Sequence, residues 1–163
     1  MKRQINEHIR LEVESLAYKG WGVGRTEGQV VFIEGGCPGD LLDVIITGVR
    51  DSHLYGQVEE VIHSGPGRRT PDCLIASRCG GCQWQHVDED VQHNQKIAIF
   101  RDLLQRIGGL DLKSAGKQKI ITMIAPRGNS FSYRTRLRVA ILSKGPALRM
   151  LGCLLYTSDA ADE

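Results

Sequence analysis

The chain has 163 residues, a formal net charge of +2 and five cysteines, and 41% of its residues are hydrophobic. It contains no run of 18 or more apolar residues, and its start, MKRQINEHIR, lacks the apolar core of a signal peptide, so we expect a cytoplasmic protein with no membrane partner. In a reducing compartment, an odd number of cysteines argues against a disulfide framework and favours metal or cluster ligation.

Charge is unevenly distributed along the chain. Residues 1–63 contain 6 Lys and Arg against 10 Asp and Glu, a net charge of −4. Residues 64–152 contain 15 against 6, a net charge of +9. A basic second half favours a polyanionic partner, and an ordinary solvated surface is the alternative.

The first segment has the pattern of a small all-β domain. Ile9, Leu11 and Val13 alternate with charged residues, which is the period of two expected of a strand with one buried face. Glycine-rich and Cys-Pro-Gly-Asp turns separate the segments that follow. Three further strands are predicted over residues 29–34, 41–49 and 53–62. This even spacing predicts a five-stranded, OB-like β-barrel.

The glycine-rich segment after the first strand carries the side chains best suited to RNA. Small barrels of this type bind nucleic acid by stacking bases on aromatic rings and by attracting phosphates with basic groups. The two aromatic side chains here suit a structural role, as caps of the barrel core, equally well. The candidate RNA-binding residues are Tyr18, Lys19, Trp21 and Arg25.

The most specific motif of the chain follows a linker, SGPGRRTPD, at residues 64–72. Cys73, Cys79 and Cys82 lie in CLIASRCGGCQWQH, a C-x5-C-G-G-C spacing that can direct three sulfurs toward one metal centre. Three thiolates leave one ligand position to fill. From the residues alone, an iron–sulfur cluster and a Cys3His zinc site completed by His86 are about equally favoured. Cys37, isolated in its turn, is interpreted as structural.

A helix is predicted from Asp88 to Ile107, because acidic residues occupy its first turn and two glycines follow its end. Its apolar residues recur at helical spacing and are interpreted as core. They are Ile97, Phe100, Leu104 and Ile107.

An alternating row of arginines lies further along, in YRTRLRVAIL. On a strand, Arg134, Arg136 and Arg138 would share one face at a spacing of about 6.5 to 7 Å. Like charges at that spacing repel each other unless an anion lies among them, and a guanidinium group can donate two parallel hydrogen bonds to a phosphate. The row is therefore a candidate RNA contact, with a solvated strand face as the alternative.

Taken in order, these segments resemble the RNA uracil-5-methyltransferases, in particular the rRNA branch with an N-terminal TRAM module. The resemblance is carried by LAYKGWGVGR and QVVFIEGGCPGD, by the cysteine motif, and by KIAIFRDLLQRIGGL and SYRTRLRVAI after it. It covers roughly residues 8–152. It implies an α+β fold in which the TRAM barrel is followed by a cysteine loop, one helix and the first strands of a central domain.

The resemblance also implies a function. In that family, three closely spaced cysteines and a distant fourth hold a [4Fe-4S] cluster, so Cys73, Cys79 and Cys82 are the expected cluster ligands. The expected partner is RNA, most closely 23S rRNA, and no protein partner is predicted. The S-adenosylmethionine site, the cysteine nucleophile and the general base belong to a C-terminal domain of the family. The chain alone is therefore expected to be inactive.

The end of the chain departs from this pattern. Residues 153–163, CLLYTSDAADE, resemble a translated adapter from sequencing libraries and are excluded from the predicted fold. Cys153 is then not a cluster ligand. The predicted organisation is a barrel over 1–63, a linker, cysteine loop and helix over 64–109, and a truncated central domain over 110–152.

Overall fold

A computed structural model describes residues 3–76 and 82–112, together with the backbone of residues 139–143 and 148–152. Within these ranges no helix is long and apolar enough to cross a membrane. The strands are β1 His8–Leu16, β2 Gly22–Thr26, β3 Gln29–Glu34, β4 Leu41–Val49, β5 His53–His63, β6 Val139–Ser143 and β7 Leu148–Gly152, and the helix is α1 Glu89–Arg106.

The first five strands form a closed barrel in the order β1-β2-β3-β5-β4. β3 and β5 are parallel, and the other neighbouring pairs are antiparallel. A register shift between Val13 and Ser15 lets β1 pair with β4 through its first half and with β2 through its second. This is the arrangement of a five-stranded OB-like barrel, and the predicted fold class is confirmed.

The barrel interior is built from alternate residues of the strands, as the period of two requires. Gly24 faces this interior where β1 and β2 approach each other closely, because a Cβ there would lie 2.5 Å from Leu11 Cδ1 and 2.6 Å from the Glu12 carbonyl oxygen. The buried residues of the interior are Ile9, Leu11, Val13, Val31, Ile33, Leu42, Val44, Ile46 and Leu54.

A buried ion pair joins the barrel to the segment that follows it. Asp40 is fully buried, and its carboxylate accepts hydrogen bonds from the backbone N–H of Cys37 at 2.7 Å and of Gly65 at 2.9 Å. The Arg68 guanidinium also donates to it, through Nε at 2.9 Å and Nη2 at 2.6 Å. Arg68 Nη2 donates in addition to the carbonyl oxygen of Gly35 at 2.6 Å. Residues 65–68 are thereby fixed against the β3–β4 turn.

Helix α1 begins and ends close to its predicted limits. The Asp88 side chain caps its N-terminus by accepting from the Asp90 N–H at 2.9 Å, and Ile107 is its C-cap. The Gln95 side chain accepts from the backbone N–H of Leu16 at 2.9 Å, which ties the helix to the end of β1.

The interpretation of the apolar stripe on α1 as core is wrong. Phe100 is 51% exposed and Ile107 is 79% exposed, while Ile97 and Leu104 are only partly buried. The helix packs through a different pair of side chains: Val91 and Ile99 contact the cluster of Leu16, Cys37 and Val87. Helical spacing predicted the helix, but it could not predict which face would be covered.

The strands β6 and β7 pair antiparallel, with Val139 opposite Gly152. The row of Arg134, Arg136 and Arg138 precedes β6 and lies outside the described residues, as do residues 153–163.

Candidate RNA-binding surface and cysteine site

Two of the three predicted ligand cysteines lie in the described part of the chain. Cys73 is partly buried and Cys82 is exposed, while Cys79 lies outside the described residues. No group of three metal-ligating side chains occurs among the described residues, which contain only two of the three thiols. We call the two segments that flank the cysteine loop, residues 67–73 and 82–88, its arms.

The arms that flank the cysteine loop pair with each other. Arg68 and Val87 form an antiparallel bridge, the Arg69 N–H donates to the His86 carbonyl oxygen at 2.9 Å, and the Asp88 N–H donates to the Gly67 carbonyl oxygen at 2.8 Å. The loop between the arms thus begins and ends at neighbouring positions. Since Arg68 is held by the buried Asp40 carboxylate, the arms are attached to the barrel.

Gln85 connects the two arms through hydrogen bonds to Cys73 and Arg69. Its side-chain Oε1 accepts from the backbone N–H of Cys73 at 3.2 Å, and its carbonyl oxygen accepts from Arg69 Nε at 3.0 Å. Gln85 is three residues beyond Cys82 in the sequence. The backbone at Cys73 is therefore held beside the segment that follows Cys82, which suits two thiolates of one metal centre.

His86, the alternative fourth ligand, is engaged with the barrel. Its Nε2 lies 3.2 Å from the carbonyl oxygen of Gly36, and burial lowers its pKa, so the ring is neutral at pH 7 and donates from Nε2. In that tautomer, Nδ1 carries the lone pair that can bind a metal ion. A histidine that donates one nitrogen to a backbone carbonyl and offers the other is a common form of metal ligand.

The loop between β1 and β2, residues 17–21, lies directly against the arm that follows Cys82. Gly20 has φ +88°, and a Cβ at this position would lie 2.7 Å from Trp84 Nε1 and 3.1 Å from the Cβ of Gln83. Trp84 in turn packs against the buried Leu16, Cys37 and Val87. The ammonium group of Lys96 lies 5.6 Å from the centre of the Trp84 ring, within reach of a cation–π interaction.

The predicted RNA-binding residues of this loop differ in their surroundings. Tyr18 is 67% exposed and does not cap the core, and Lys19 is exposed with φ +70°. Trp21 is partly exposed on the outside of the barrel. Arg25 on β2 is exposed and pairs with Glu14 at 3.3 Å, a surface ion pair that stabilises little.

Sequence reasoning missed an aromatic surface on the outside of β3 and β5, which Trp21 extends from the end of the β1–β2 loop. Its ring centres are 5.5 Å apart for Trp21 and Tyr55, 5.9 Å for Phe32 and Tyr55, 5.3 Å for Phe32 and His53, and 5.0 Å for His53 and Tyr55. Three of the rings alternate with buried residues along β3 and β5, and this pattern could have predicted that they face outward. Their proximity follows only from the parallel pairing of β3 with β5, in which Phe32 lies opposite Tyr55.

Comparison with known proteins relates this barrel to a known domain. Residues 2–58 match the model of the TRAM domain. The chain is 37% identical over 129 residues to an uncharacterized RNA methyltransferase of Thermosynechococcus vestitus, an alignment that covers 79% of this chain and 27% of the relative.

Two further relatives carry a more specific name, 23S rRNA (uracil(1939)-C(5))-methyltransferase RlmD. The protein of Hahella chejuensis is 34% identical over 88% of this chain and 31% of its own length. That of Pseudomonas aeruginosa is 31% identical over 90% of this chain and 31% of its own length. The predicted resemblance to the RNA uracil-5-methyltransferases is confirmed. The chain spans about a third of the length of these relatives.

Cys37 differs chemically from the loop cysteines. Burial, together with a smaller contribution from the Asp40 carboxylate, raises the pKa of its thiol to about 11. In metal-free protein at pH 8, we expect Ellman's reagent to modify Cys82 readily and Cys37 only after unfolding, because the thiolate is the reactive species. Peptide mapping by mass spectrometry identifies the sites, and equal labelling of both cysteines in folded protein would contradict this assignment.

The raised pKa of Cys37 makes the folded protein less stable at alkaline pH. The folded pKa of Cys37 lies above the ordinary value of 9.0, so the unfolded chain loses this proton first. The contribution of the neutral thiol to stability is therefore complete below about pH 9 and decreases as the pH rises toward 11.

Proposed function

We propose that this chain is the RNA-binding and iron–sulfur-binding N-terminal part of an S-adenosylmethionine-dependent 23S rRNA uracil-C5 methyltransferase that acts in the cytoplasm. One observation carries the proposal: the loop of the TRAM barrel that presents Tyr18 and Lys19 packs, through Gly20, on the arm of the cysteine loop. The RNA-facing loop and the thiol site therefore belong to one packed unit.

The names of the relatives support the substrate. Two of them are described as 23S rRNA uracil methyltransferases, and each aligns over most of this chain. In the complete parent protein, a cysteine nucleophile would attack C6 of the uracil, and C5 would take the methyl group of S-adenosylmethionine with release of S-adenosylhomocysteine. A general base would then remove the C5 proton, and the cysteine thiolate would leave C6. We assign those groups and the S-adenosylmethionine site to the remainder of the parent, so the fragment alone transfers no methyl group.

The donor set supports a metal centre in the cysteine loop. Cys73, Cys79 and Cys82 offer thiolates, which select zinc or iron–sulfur clusters over hard cations. The Gln85 contact with the Cys73 backbone and the paired arms fit such a centre, because they hold both ends of the loop before any metal binds. A [4Fe-4S] cluster bound there would supply a rigid, redox-active crosslink of the loop.

The alternative is a non-enzymatic RNA-binding module with a structural zinc ion. His86 supports this alternative. Its neutral ring directs Nε2 at Gly36, so the lone pair of Nδ1 could complete a Cys3His site. His86→Gln would then lower zinc affinity greatly. An iron–sulfur centre that uses another cysteine would tolerate the same change.

RNA binding is tested by its dependence on salt. Each phosphate contact contributes about 0.7 to the slope of log affinity against log salt on single strands. We expect replacement of Arg134, Arg136 and Arg138 by Gln to reduce that slope by roughly 2, measured by fluorescence anisotropy with a labelled single-stranded RNA.

The matched control is Arg10→Gln. Arg10 is an exposed arginine on β1 that is paired with Asp43 through two 2.7 Å hydrogen bonds. Its replacement should leave the slope unchanged. If the triple variant also leaves it unchanged, the arginine row is a solvated face and makes no contact with RNA.

A further inference from the structure

Trp21, Phe32, His53 and Tyr55 form one contiguous aromatic surface, in which three of the four ring pairs meet edge to face and the Phe32 and Tyr55 rings are tilted by 33°. The four rings are partly exposed, and neighbouring centres are 5.0 to 5.9 Å apart. The Tyr55 ring lies across the neighbouring strand β4, where a Cβ on Gly48 would be 3.3 Å from its Cδ2. Glycine at position 48 thus leaves room for the ring on the barrel surface.

Closure of the barrel restricts how a ligand can bind there. Every barrel strand is paired on both sides, in the order β1-β2-β3-β5-β4. No strand edge is left in the barrel to which an extended peptide could add as a further strand. Recognition on this face must therefore use side chains, among which the four rings form one contiguous surface.

The acidic side chains of the barrel lie on both sides of it. Asp43 on β4 is paired with Arg10 on β1, and in the closed strand order this pair lies across the barrel from β3. Glu34 on β3 and Glu59 on β5, which is paired with His8 at 2.6 Å, lie on the two strands that carry three of the rings. Binding of RNA at this face would therefore be carried by the rings themselves and not by the charge of these strands.

The surface continues into basic groups near the cysteine loop. Trp21 ends the β1–β2 loop, in which Lys19 is exposed and Gly20 packs against Trp84. The ammonium group of Lys96 lies over the Trp84 ring. A strand of RNA stacked on the aromatic rings would therefore find ammonium groups beside it for its phosphates.

We propose that this aromatic surface binds unpaired bases of RNA by stacking, so that the TRAM domain selects single-stranded segments over duplex. The inference rests on the proposed RNA-binding function and specifies the form of RNA that the barrel recognises. Stacking requires an exposed base face, which duplex RNA does not offer, and it is tolerant of sequence because every base has such a face.

The test compares Tyr55→Ala with the unmodified 163-residue chain, using a labelled 12-nucleotide RNA without secondary structure and a 12-base-pair duplex. Loss of one stacked base should weaken binding of the single strand about tenfold and leave duplex binding unchanged. The slope against salt should stay the same, because no phosphate contact is lost. Tyr55→Phe, which keeps the ring, should bind like the unmodified chain.

Ile62→Ala, which shortens a 40% exposed apolar side chain on the same strand, is the control and should bind normally. Circular dichroism verifies that each variant folds. His53→Ala, at the start of β5, provides a second ring removal with the same expected loss if Tyr55→Ala does not fold.

The outcomes separate the two proposals. If the unmodified chain binds no RNA, both the proposed function and the stacking proposal are overturned. If it binds single-stranded RNA but the folded ring-removal variant binds equally well, or if both RNA forms weaken in parallel, the stacking proposal alone is overturned.

Discussion

Replacing Asp40 with alanine is expected to lower the free energy of unfolding by about 3–5 kcal/mol. The substitution leaves the Arg68 guanidinium, whose side chain is only 18% exposed, without its carboxylate partner. It also removes the acceptor of the backbone N–H groups of Cys37 and Gly65. A buried donor or charge without a partner carries its full desolvation cost.

Urea denaturation at pH 7, followed by far-ultraviolet circular dichroism, measures this change. The matched control is Asp43→Ala, which breaks the ion pair with Arg10 on the barrel surface. Because exposed pairs contribute about 1 kcal/mol or less, the control should stay near the unmodified chain. A loss of less than about 1 kcal/mol for Asp40→Ala would contradict the role given to the buried pair.

The second large effect is expected at the cysteine loop. Cys79→Ser and Cys82→Ser should each abolish binding of the metal centre, because a hydroxyl group is a poor substitute for a thiolate and the site offers few ligands. Anaerobic purification followed by visible absorption spectroscopy measures the loss. Cys37→Ala is the matched control, since Cys37 is fully buried, and it should retain the absorption.

Retention of the full absorption by Cys82→Ser would contradict the ligand assignment. Loss in Cys37→Ala, with the fold intact, would instead mean that the buried thiol takes part in the site.

Local sequence pattern was sufficient to place four of the five barrel strands, and it gave no limits for β2 at Gly22–Thr26. The predicted limits of residues 29–34 and 41–49 coincide with β3 and β4, and β5 ends one residue later than predicted. Alternation and turn residues act over a few positions, so they can be recognised without knowledge of the tertiary structure. The acidic first turn and the two glycines predicted the limits of α1 to within one residue at each end, because they too are local signals.

The features that connect distant segments could not be predicted in this way. Asp40 lies in a turn whose sequence suggests an exposed residue, yet it is fully buried because Arg68, 28 positions later, folds back onto it. Phe32 and Tyr55 become neighbours only when β3 and β5 pair in parallel. Packing of Gly20 on Trp84 likewise depends on the path of the chain after the barrel closes.

The contact between the β1–β2 loop and the cysteine arm relates the two parts of the proposed function. Trp84 follows Cys82 by two positions and packs both on Gly20 and on the cluster of Leu16, Cys37 and Val87. A metal centre that fixes the cysteine loop would therefore also support the segment on which the RNA-facing loop rests. Under the proposed function, the thiol site would therefore have a structural role.

Metal analysis of the chain purified without oxygen tests the central claim most directly. Iron, acid-labile sulfide and zinc are measured together on the same sample, relative to protein. The proposed [4Fe-4S] centre predicts iron and sulfide in equal amounts, approaching four of each per chain, with little zinc. Stoichiometric zinc without iron or sulfide would contradict the account and favour the Cys3His zinc module.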